Sequence, residues 1–358
     1  MGLVDLRGPF GRNRGHVKSF RMWLRRAWDG QSGPLGSLVM RLLLPAEALY
    51  RGAVFARDRC HRVGLLPQSE GPIPVISVGN LAVGGTGKTP ICSWLIGRLI
   101  TMGQAPALVT RGYGSDEVLL YQLRHPDIPV VVRNSRVEGV AQAAREGASV
   151  AVLDDGFQHR ATKRSVDIVL LAAEQGAEGP LLPRGRFREP LSGLERADAI
   201  VITRKVATRD QASALGRLAM HVAPKAVLGQ VHLGEDFWTG LEADPRSDGP
   251  GGPPGGDLLA VSSIAEPDGF NDMVRSRATG VVECMAFPDH HPYSRTDVRR
   301  IVERAGARPI VTTEKDAVKL RTFPEELPRA HVLRLRVEWD FGQDAVMELI
   351  RSVLDKYP

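Results

Sequence analysis

An α/β fold, a mainly parallel sheet with helices on both faces, is predicted by three features of the chain. Short β-branched apolar runs alternate with stretches of helical apolar spacing. A glycine-rich loop stands between the first such run and the first long helical stretch. The composition, 43% hydrophobic and 25% charged over 358 residues, suits a chain that buries a core. The 38 Gly and 25 Pro are too few, and too irregularly spaced, for a collagen-like or wholly disordered chain. Cys60, Cys92 and Cys284 are far apart and odd in number, which excludes a disulfide framework or a CxxC metal site. They read as small buried hydrophobes of a reducing compartment. No period of about 20 to 50 residues marks a repeat architecture.

Taken in order, residues 1–70 form a basic arm. The first 62 carry twelve Lys or Arg against four acids, a surplus larger than the whole chain's +6, so the remainder is slightly acidic. Such an arm suits nucleic acid, an anionic membrane or plain solvation. Between Leu38 and Phe55 apolar residues are dense and Arg41, Glu47 and Arg51 punctuate them, with Pro45 set to kink or restart the helix. No run reaches the roughly 18 to 20 apolar residues of a spanning helix, and no secretory signal is read at the start. Two readings of this helix stand: an amphipathic element among lipid headgroups, aided by Trp23 and Trp28, or one packed on the protein's own core.

A core of residues 71–240 begins after Pro72 and Pro74. Ile73–Val78 is its first strand and Lys88–Met102 its first helix, with Pro90 tolerated in the opening turn. Strand Ala107–Thr110, helix Asp116–Leu123, strand Val130–Val132, helix Val137–Arg145 and strand Ser149–Leu153 repeat the alternation, and strands Asp167–Leu171 and Ala199–Thr203 follow. Such strands, buried on both faces and joined through helices, pair in parallel. Residues 241–257 contain the Gly and Pro run from Asp248 to Asp257, which suits an exposed loop. Residues 258–358 read as a second, smaller α/β lobe. Its strands are Leu258–Ser262, Val281–Ala286, Pro309–Thr312 and Val332–Leu335, and its helices Pro267–Val274, Ser294–Ala305 and Phe341–Leu354.

The loop between the first strand and first helix runs Gly79-Asn80-Leu81-Ala82-Val83-Gly84-Gly85-Thr86-Gly87-Lys88-Thr89. Glycines let successive backbone N–H groups curl around phosphate oxygens, and the helix N-terminus adds its positive end. Lys88 reaches the terminal phosphates and the Thr89 hydroxyl suits Mg²⁺. This is a P-loop NTPase-type arrangement in which Gly84, Gly85, Thr86, Gly87, Lys88 and Thr89 bind ATP. Ala82 stands where the strict pattern has Gly. A P-loop needs a metal-positioning acid at the end of a neighbouring strand, and Ser149–Leu153 runs straight into Asp154-Asp155. Two carboxylates ending a buried strand require a compensating cation, which Mg²⁺ on ATP supplies; one of the pair also suits a turn cap.

These motifs resemble the tetraacyldisaccharide 4'-kinase family of lipid A biosynthesis. The resemblance rests on Pro74–Asn80 running into Gly84–Pro90, on Asp154-Asp155-Gly156-Phe157-Gln158-His159, and on Arg111-Gly112-Tyr113-Gly114. Leu182-Pro183 with Arg188-Glu189-Pro190-Leu191, Phe287-Pro288-Asp289-His290 and Thr313-Glu314-Lys315-Asp316 extend it over residues from about 38 to 320. It implies an ATP- and Mg²⁺-dependent lipid kinase at the cytoplasmic face of the bacterial inner membrane. Its acceptor is the 4'-hydroxyl of a tetraacylated glucosamine disaccharide 1-phosphate, and the product is lipid IVA. The arm then reads as a peripheral membrane device whose partners are the anionic bilayer and the acylated substrate; no nucleic acid and no obligatory protein partner is implied.

The resemblance also implies roles. The family's base-bearing segment corresponds to Ser115-Asp116-Glu117-Val118, making Asp116 the general base, with an ordinary helix cap as the alternative. His290 corresponds to the histidine that pairs with this aspartate, and His291 competes for the part. Arg188 and Glu189 correspond to residues serving phosphate charge and metal water, or form a surface ion pair. Glu117, Gln158 and Arg111 complete the candidate site, and His159 steadies the loop behind the metal. A GTPase switch fails because Thr313-Glu314-Lys315-Asp316 lacks the Asn and spacing for guanine. The near-neutral body disfavours a nucleic-acid-dependent ATPase. A membrane-associated P-loop switch without lipid kinase activity is the remaining alternative.

Overall fold

The computed structural model describes residues 32–112, 115–243, 251–265 and 267–357, with 23, 24, 27, 28 and 30 before them. The basic residues from Arg7 to Arg26, Tyr113-Gly114 of the Arg111 motif and the first residues of the Asp248–Asp257 run lie outside these. Two helices open the described chain, α1 (Gly33–Leu42) and α2 (Leu44–Arg62). Pro45 sits in the first turn of α2, so it restarts the helix as its missing N–H permits.

The core then runs β1 (Val75–Asn80), α3 (Lys88–Thr101), β2 (Pro106–Thr110), α4 (Ser115–Arg124), β3 (Val130–Val132), α5 (Arg136–Arg145), β4 (Val150–Asp154), β5 (Val166–Ala172) and β6 (Ala199–Arg204). Helix α6 (Arg209–Val222) and strand β7 (Val227–Gly240) follow, then β8 (Leu258–Ser262), α7 (Pro267–Arg277), β9 (Val282–Ala286), α8 (Arg295–Ala305), β10 (Ile310–Thr313), α9 (Glu314–Leu320), β11 (Ala330–Phe341) and α10 (Gln343–Leu354). One eleven-stranded sheet holds all of them in the order β3-β2-β4-β1-β5-β6-β7-β11-β10-β8-β9. Every neighbouring pair is parallel except β7 with β11. Strands β1, β4 and β5 are buried along their whole length, as expected of strands covered on both faces.

Both long strands at the junction exceed the sequence expectation. Nothing was expected between Thr203 and residue 241, yet α6 and β7 lie there. Helix α6 starts with a capping box in which Thr208 and Gln211 bond reciprocally. In β7, period-two alternation places Val231 and Leu233 on one buried face, while in β11 the consecutive Val332 and Leu333 are buried on opposite faces, each in a different core. The chain order that suggested a lobe of 258–358 differs from the packing. Val346, Met347 and Ile350 of α10 lie in one cluster with Ile76, Leu95 and Ile168, so the last helix completes the core begun by β1. Leu259, Val261, Ile301 and Leu320 form the separate core beneath β8 and β10.

Strand β1 lies between β4 and β5, and the chain reaches β5 only after crossing from β4 on the other side. Ligands of open α/β sheets bind beyond the carboxyl ends of strands at such a reversal. The glycine-rich loop leaves β1 there, and Asp154 ends β4 beside it.

Candidate active site

At the start of α3 the glycine-rich loop is held from below. The Thr203 hydroxyl donates to the Thr86 carbonyl at 3.0 Å, Lys205 Nζ to the Gly85 carbonyl at 2.8 Å, and Asn80 Nδ2 to Thr86 Oγ1 at 2.8 Å. Gly87 takes φ 84° as the residue preceding α3, and a Cβ there would stand 2.4 Å from Leu233. Only glycine meets both demands. Ala82 requires no such freedom, because it pairs in extended fashion with Phe187 and its methyl is buried. The departure from the strict pattern is therefore accommodated.

The two carboxylates at the end of β4 behave differently. Asp154 is fully enclosed, with the Tyr121 hydroxyl 3.4 Å from Oδ2. Burial, reinforced by the Glu117 charge and opposed by Lys88, pushes its carboxyl above the ordinary range. Asp155 adopts φ 57°, which a non-glycine residue rarely takes. Burial works against its charge too, but Lys88 Nζ at 3.5 Å and Arg188 at 2.8 Å hold it at about 2. With the Thr89 hydroxyl, these are hard oxygen donors in the number that Mg²⁺ takes from a protein when phosphates and waters fill its other positions. A buried carboxylate with no cation of its own fits that ion. Among the described residues, no group of three or more His, Cys, Asp or Glu is placed to hold a metal without such help.

Gln158 ties this centre together: its Nε2 donates to the Asn80 carbonyl at 2.9 Å and its Oε1 accepts from Arg188 at 3.2 Å. Burial, with the charges of Arg136 and Arg111, brings His159 down to about 4, so it is a neutral loop residue near neutral pH. Arg111 is exposed. Glu189 is fully buried, and its two carboxylate oxygens are each bonded at 2.8 Å, one by Arg57 and the other by Arg196.

Across from the loop, α4 presents Asp116 in its first turn. One oxygen accepts the Glu117 N–H at 3.1 Å, a cap-like bond. Both oxygens face His290 Nδ1, at 2.8 and 3.0 Å, and Lys319 Nζ lies 3.4 Å from Oδ2. Burial raises the Asp116 carboxyl, yet His290, Lys319 and Lys315 together bring it to about 2. The Asp116 carboxylate in turn raises the His290 imidazole above its usual range, against burial. His290 has φ 55° and, with Asp155, is one of two non-glycine residues among those described with positive φ. Left-handed backbone at two site residues is strain retained where position matters. His291 instead bonds Asp297 at 3.1 Å and stacks on Phe287. Glu117 pairs with Lys315 across the gap between the sheet halves.

The structure thus groups Lys88, Asp155, Arg188 and Gln158, and separately Asp116, His290 and Glu117. Helix α4 links the groups, since Asp116 opens it and Tyr121 on the same helix touches Asp154. Glu189 joins neither group directly. Sequence reasoning missed Lys319, Tyr121 and Arg57. Lys319 follows Lys315 by one helical turn, so a shared face was legible, but its aim at Asp116 is tertiary.

A P-loop with paired carboxylates on an α/β sheet, facing a carboxylate and imidazole pair, defines a phosphotransferase. The model of the tetraacyldisaccharide-1-P 4'-kinase family matches residues 39–355, and the chain belongs to that family. The tetraacyldisaccharide 4'-kinase of Anaeromyxobacter sp. (strain Fw109-5) is 36% identical over 93% of this chain and 96% of its own. That of Halorhodospira halophila is 37% identical over 80% of this chain and 86% of its own. The crystal structure of LpxK from Aquifex aeolicus in complex with ATP shares the fold, with TM-score 0.68 and 24% identity over 88% of this chain and 99% of that one.

Proposed function

We propose that the protein transfers the γ-phosphoryl group of ATP to the 4'-hydroxyl of a tetraacylated glucosamine disaccharide 1-phosphate, giving lipid IVA, at the cytoplasmic face of the inner membrane. The carrying observation is the Asp116–His290 pair at one end of a helix whose Tyr121 touches Asp154, which sets a proton acceptor beside a phosphate cradle. Family membership supports the substrate assignment.

In this reading Gly84–Thr89 wraps the β- and γ-phosphates, and Lys88 and Arg188 meet the charge that spreads over the transferring group. Thr89, Asp154 and Asp155 would hold Mg²⁺, which when bound would offset the negative charge of the phosphates. We take Glu189 out of that ligand set, because its side chain has no solvent exposure and is enclosed between Arg57 and Arg196, apart from the Lys88–Asp155 pair, whereas Asp155 is about a third exposed. Asp116 orients the acceptor hydroxyl and takes its proton. A carboxylate with a low pKa suffices, since phosphoryl transfer is largely dissociative and the proton leaves late. His290 fixes the rotamer of that carboxylate and keeps it ionised.

The first two helices suit docking at the bilayer. Leu38, Leu42, Leu49 and Phe55 are each more than half exposed, with Arg41, Arg51 and Arg59 among them. No helix of the described residues is long and apolar enough to cross a membrane. Each such apolar side chain buried in lipid contributes about 1.5 to 3 kcal/mol, and each basic residue near anionic headgroups adds about 1 kcal/mol. The test is an assay of the purified protein with MgATP and tetraacyl disaccharide 1-phosphate in detergent, with Lys88→Ala as control. A phosphorylated lipid made by wild type alone is the expected result, and no product from wild-type protein that binds MgATP would refute the reading.

A further inference from the structure

The membrane-facing arm and the phosphate site share one strap of chain, residues 181–189. On its site side the strap is laced to the glycine-rich loop. Val83 N–H donates to the Arg186 carbonyl at 2.8 Å, and Arg188 N–H to the Leu81 carbonyl at 2.7 Å. Arg188 then reaches both Asp155 oxygens at 2.8 Å.

On its other side the same strap is held by one face of α2. Glu47, Tyr50, Val54 and Arg57 follow at intervals of three and four, so they line one stripe of the helix. The Glu47 carboxylate, itself buried, accepts the Leu181 N–H at 2.9 Å and pairs with Arg184. The Tyr50 hydroxyl donates to the Arg188 carbonyl at 3.0 Å. Arg57 bonds the next residue, Glu189, whose carboxylate has no solvent contact. The backbone of Arg188 is therefore gripped from two directions, by the glycine-rich loop at its amide and by α2 at its carbonyl. Leu49 and Phe55 on the same helix are 78% and 71% exposed, so α2 meets solvent with one side and the strap with the other.

From this geometry we infer that Tyr50 and Arg57 are positioning residues for phosphoryl transfer: α2 sets the Arg188 guanidinium against the transferring phosphate and is part of the site. The inference rests on the kinase reading above and adds a task for the arm beyond adhesion to lipid. The physical reason is leverage. Catalytic donors must stay within a fraction of an ångström of the charge they meet. Arg188 sits on an irregular strap, with neither helix nor strand to fix it, so its placement depends on the groups that bond its own backbone and its neighbour. Removing Arg57 leaves a fully buried carboxylate with a single partner, which would pull the strap toward water or toward Arg196.

The test uses the full chain in mixed micelles with MgATP and tetraacyl disaccharide 1-phosphate. Arg57→Ala is expected to lower kcat about 10- to 100-fold and Tyr50→Phe about 3- to 10-fold. The KM for lipid and retention on anionic vesicles should stay within about twofold, because neither side chain faces outward. Arg57→Lys should recover part of the rate. Combined with Arg188→Ala, neither change should cost anything further, since all act through one guanidinium. Tyr50→Phe removes a single hydroxyl and keeps the test decisive if Arg57→Ala fails to fold. An unchanged kcat with weakened vesicle retention makes α2 an anchor alone and overturns the inference, as do losses fully additive with Arg188→Ala. Wild-type protein that binds MgATP and makes no phosphorylated lipid overturns the kinase reading and this inference with it.

Discussion

The two sides of the site are built in opposite ways. The phosphate side is one stretch of chain, Gly79 to Thr89, folded on itself at the end of β1 and completed by Asp154 and Asp155 from the neighbouring strand. The acceptor side is gathered from afar: Asp116 comes from α4, His290 from the loop after β9, and Lys319 from α9. A contiguous loop carries its geometry wherever it folds, whereas a gathered site exists only when both halves of the sheet are in register through β7 and β11. Changes on the acceptor side should therefore act mainly on turnover, and changes at the loop on nucleotide affinity as well.

The largest effect is expected from Asp116→Ala. Loss of the proposed proton acceptor should reduce kcat by about 10²- to 10⁴-fold while MgATP affinity, measured by calorimetry, stays near wild type. A parallel loss of affinity would mean that the two sides are not separable.

A smaller effect, with a pH signature, is expected from His290→Ala. With His290 present, the Asp116 carboxyl is held at about 2 against burial and stays ionised at every working pH. Without it, burial is opposed by Lys319, Lys315 and the Glu117 N–H, the carboxyl pKa rises, and the acid limb of kcat/KM moves to higher pH; an unmoved limb would assign that ionisation elsewhere. Stability gives a second readout. A depressed carboxyl contributes above its unfolded value, 3.8, and its contribution is lost as pH falls toward 2. A raised imidazole contributes fully below its unfolded value, 6.5, and its contribution is lost as pH rises through the folded one. The drop in melting temperature on His290→Ala should therefore be greatest between these unfolded values and shrink on either side.

The smallest effect should come from Ala82→Gly, which restores the strict loop pattern. Ala82 is in extended pairing, so added freedom gives the loop nothing. The lost buried methyl and the extra chain entropy should cost about 0.5 to 1 kcal/mol in denaturant unfolding, with kcat unchanged. A gain in nucleotide affinity would show that the alanine constrains the loop after all.

Much of this architecture was legible before folding. β-branched runs gave β1, β2, β4, β5, β6, β8 and β10 to within a few residues, because strands covered on both faces are continuous apolar segments. Strand β7 was not read, since Gly229, Gly234 and Gly240 interrupt it and its long antiparallel partner lies about a hundred residues away. Helix α6 carried a readable start in Thr208 and Gln211. On the phosphate side, spacing alone singled out Lys88, Thr89 and the paired aspartates, and the fold sets Lys88 Nζ 3.5 Å from Asp155. On the acceptor side, the choice between His290 and His291 had no local signal. Only the fold shows that His291 is taken by Asp297 while His290 reaches Asp116. The surroundings of Glu189, a metal candidate in the sequence, were hidden for the same reason: its partners Arg57 and Arg196 come from elements that no local pattern joins.

The return of α10 to the first core has a consequence for biosynthesis. Val346, Met347, Ile350 and Leu354 seal a hydrophobic layer begun by Ile76 and Leu95, and each is worth about 1.5 to 3 kcal/mol when covered. A growing polypeptide leaving the ribosome must carry that open layer until this helix, more than 260 residues after β1, has been translated, exposed throughout to chaperones and to other nascent chains. A chain cut before Gln343 would keep Lys88, Asp155, Asp116 and His290 and still leave a molecule destined for aggregation.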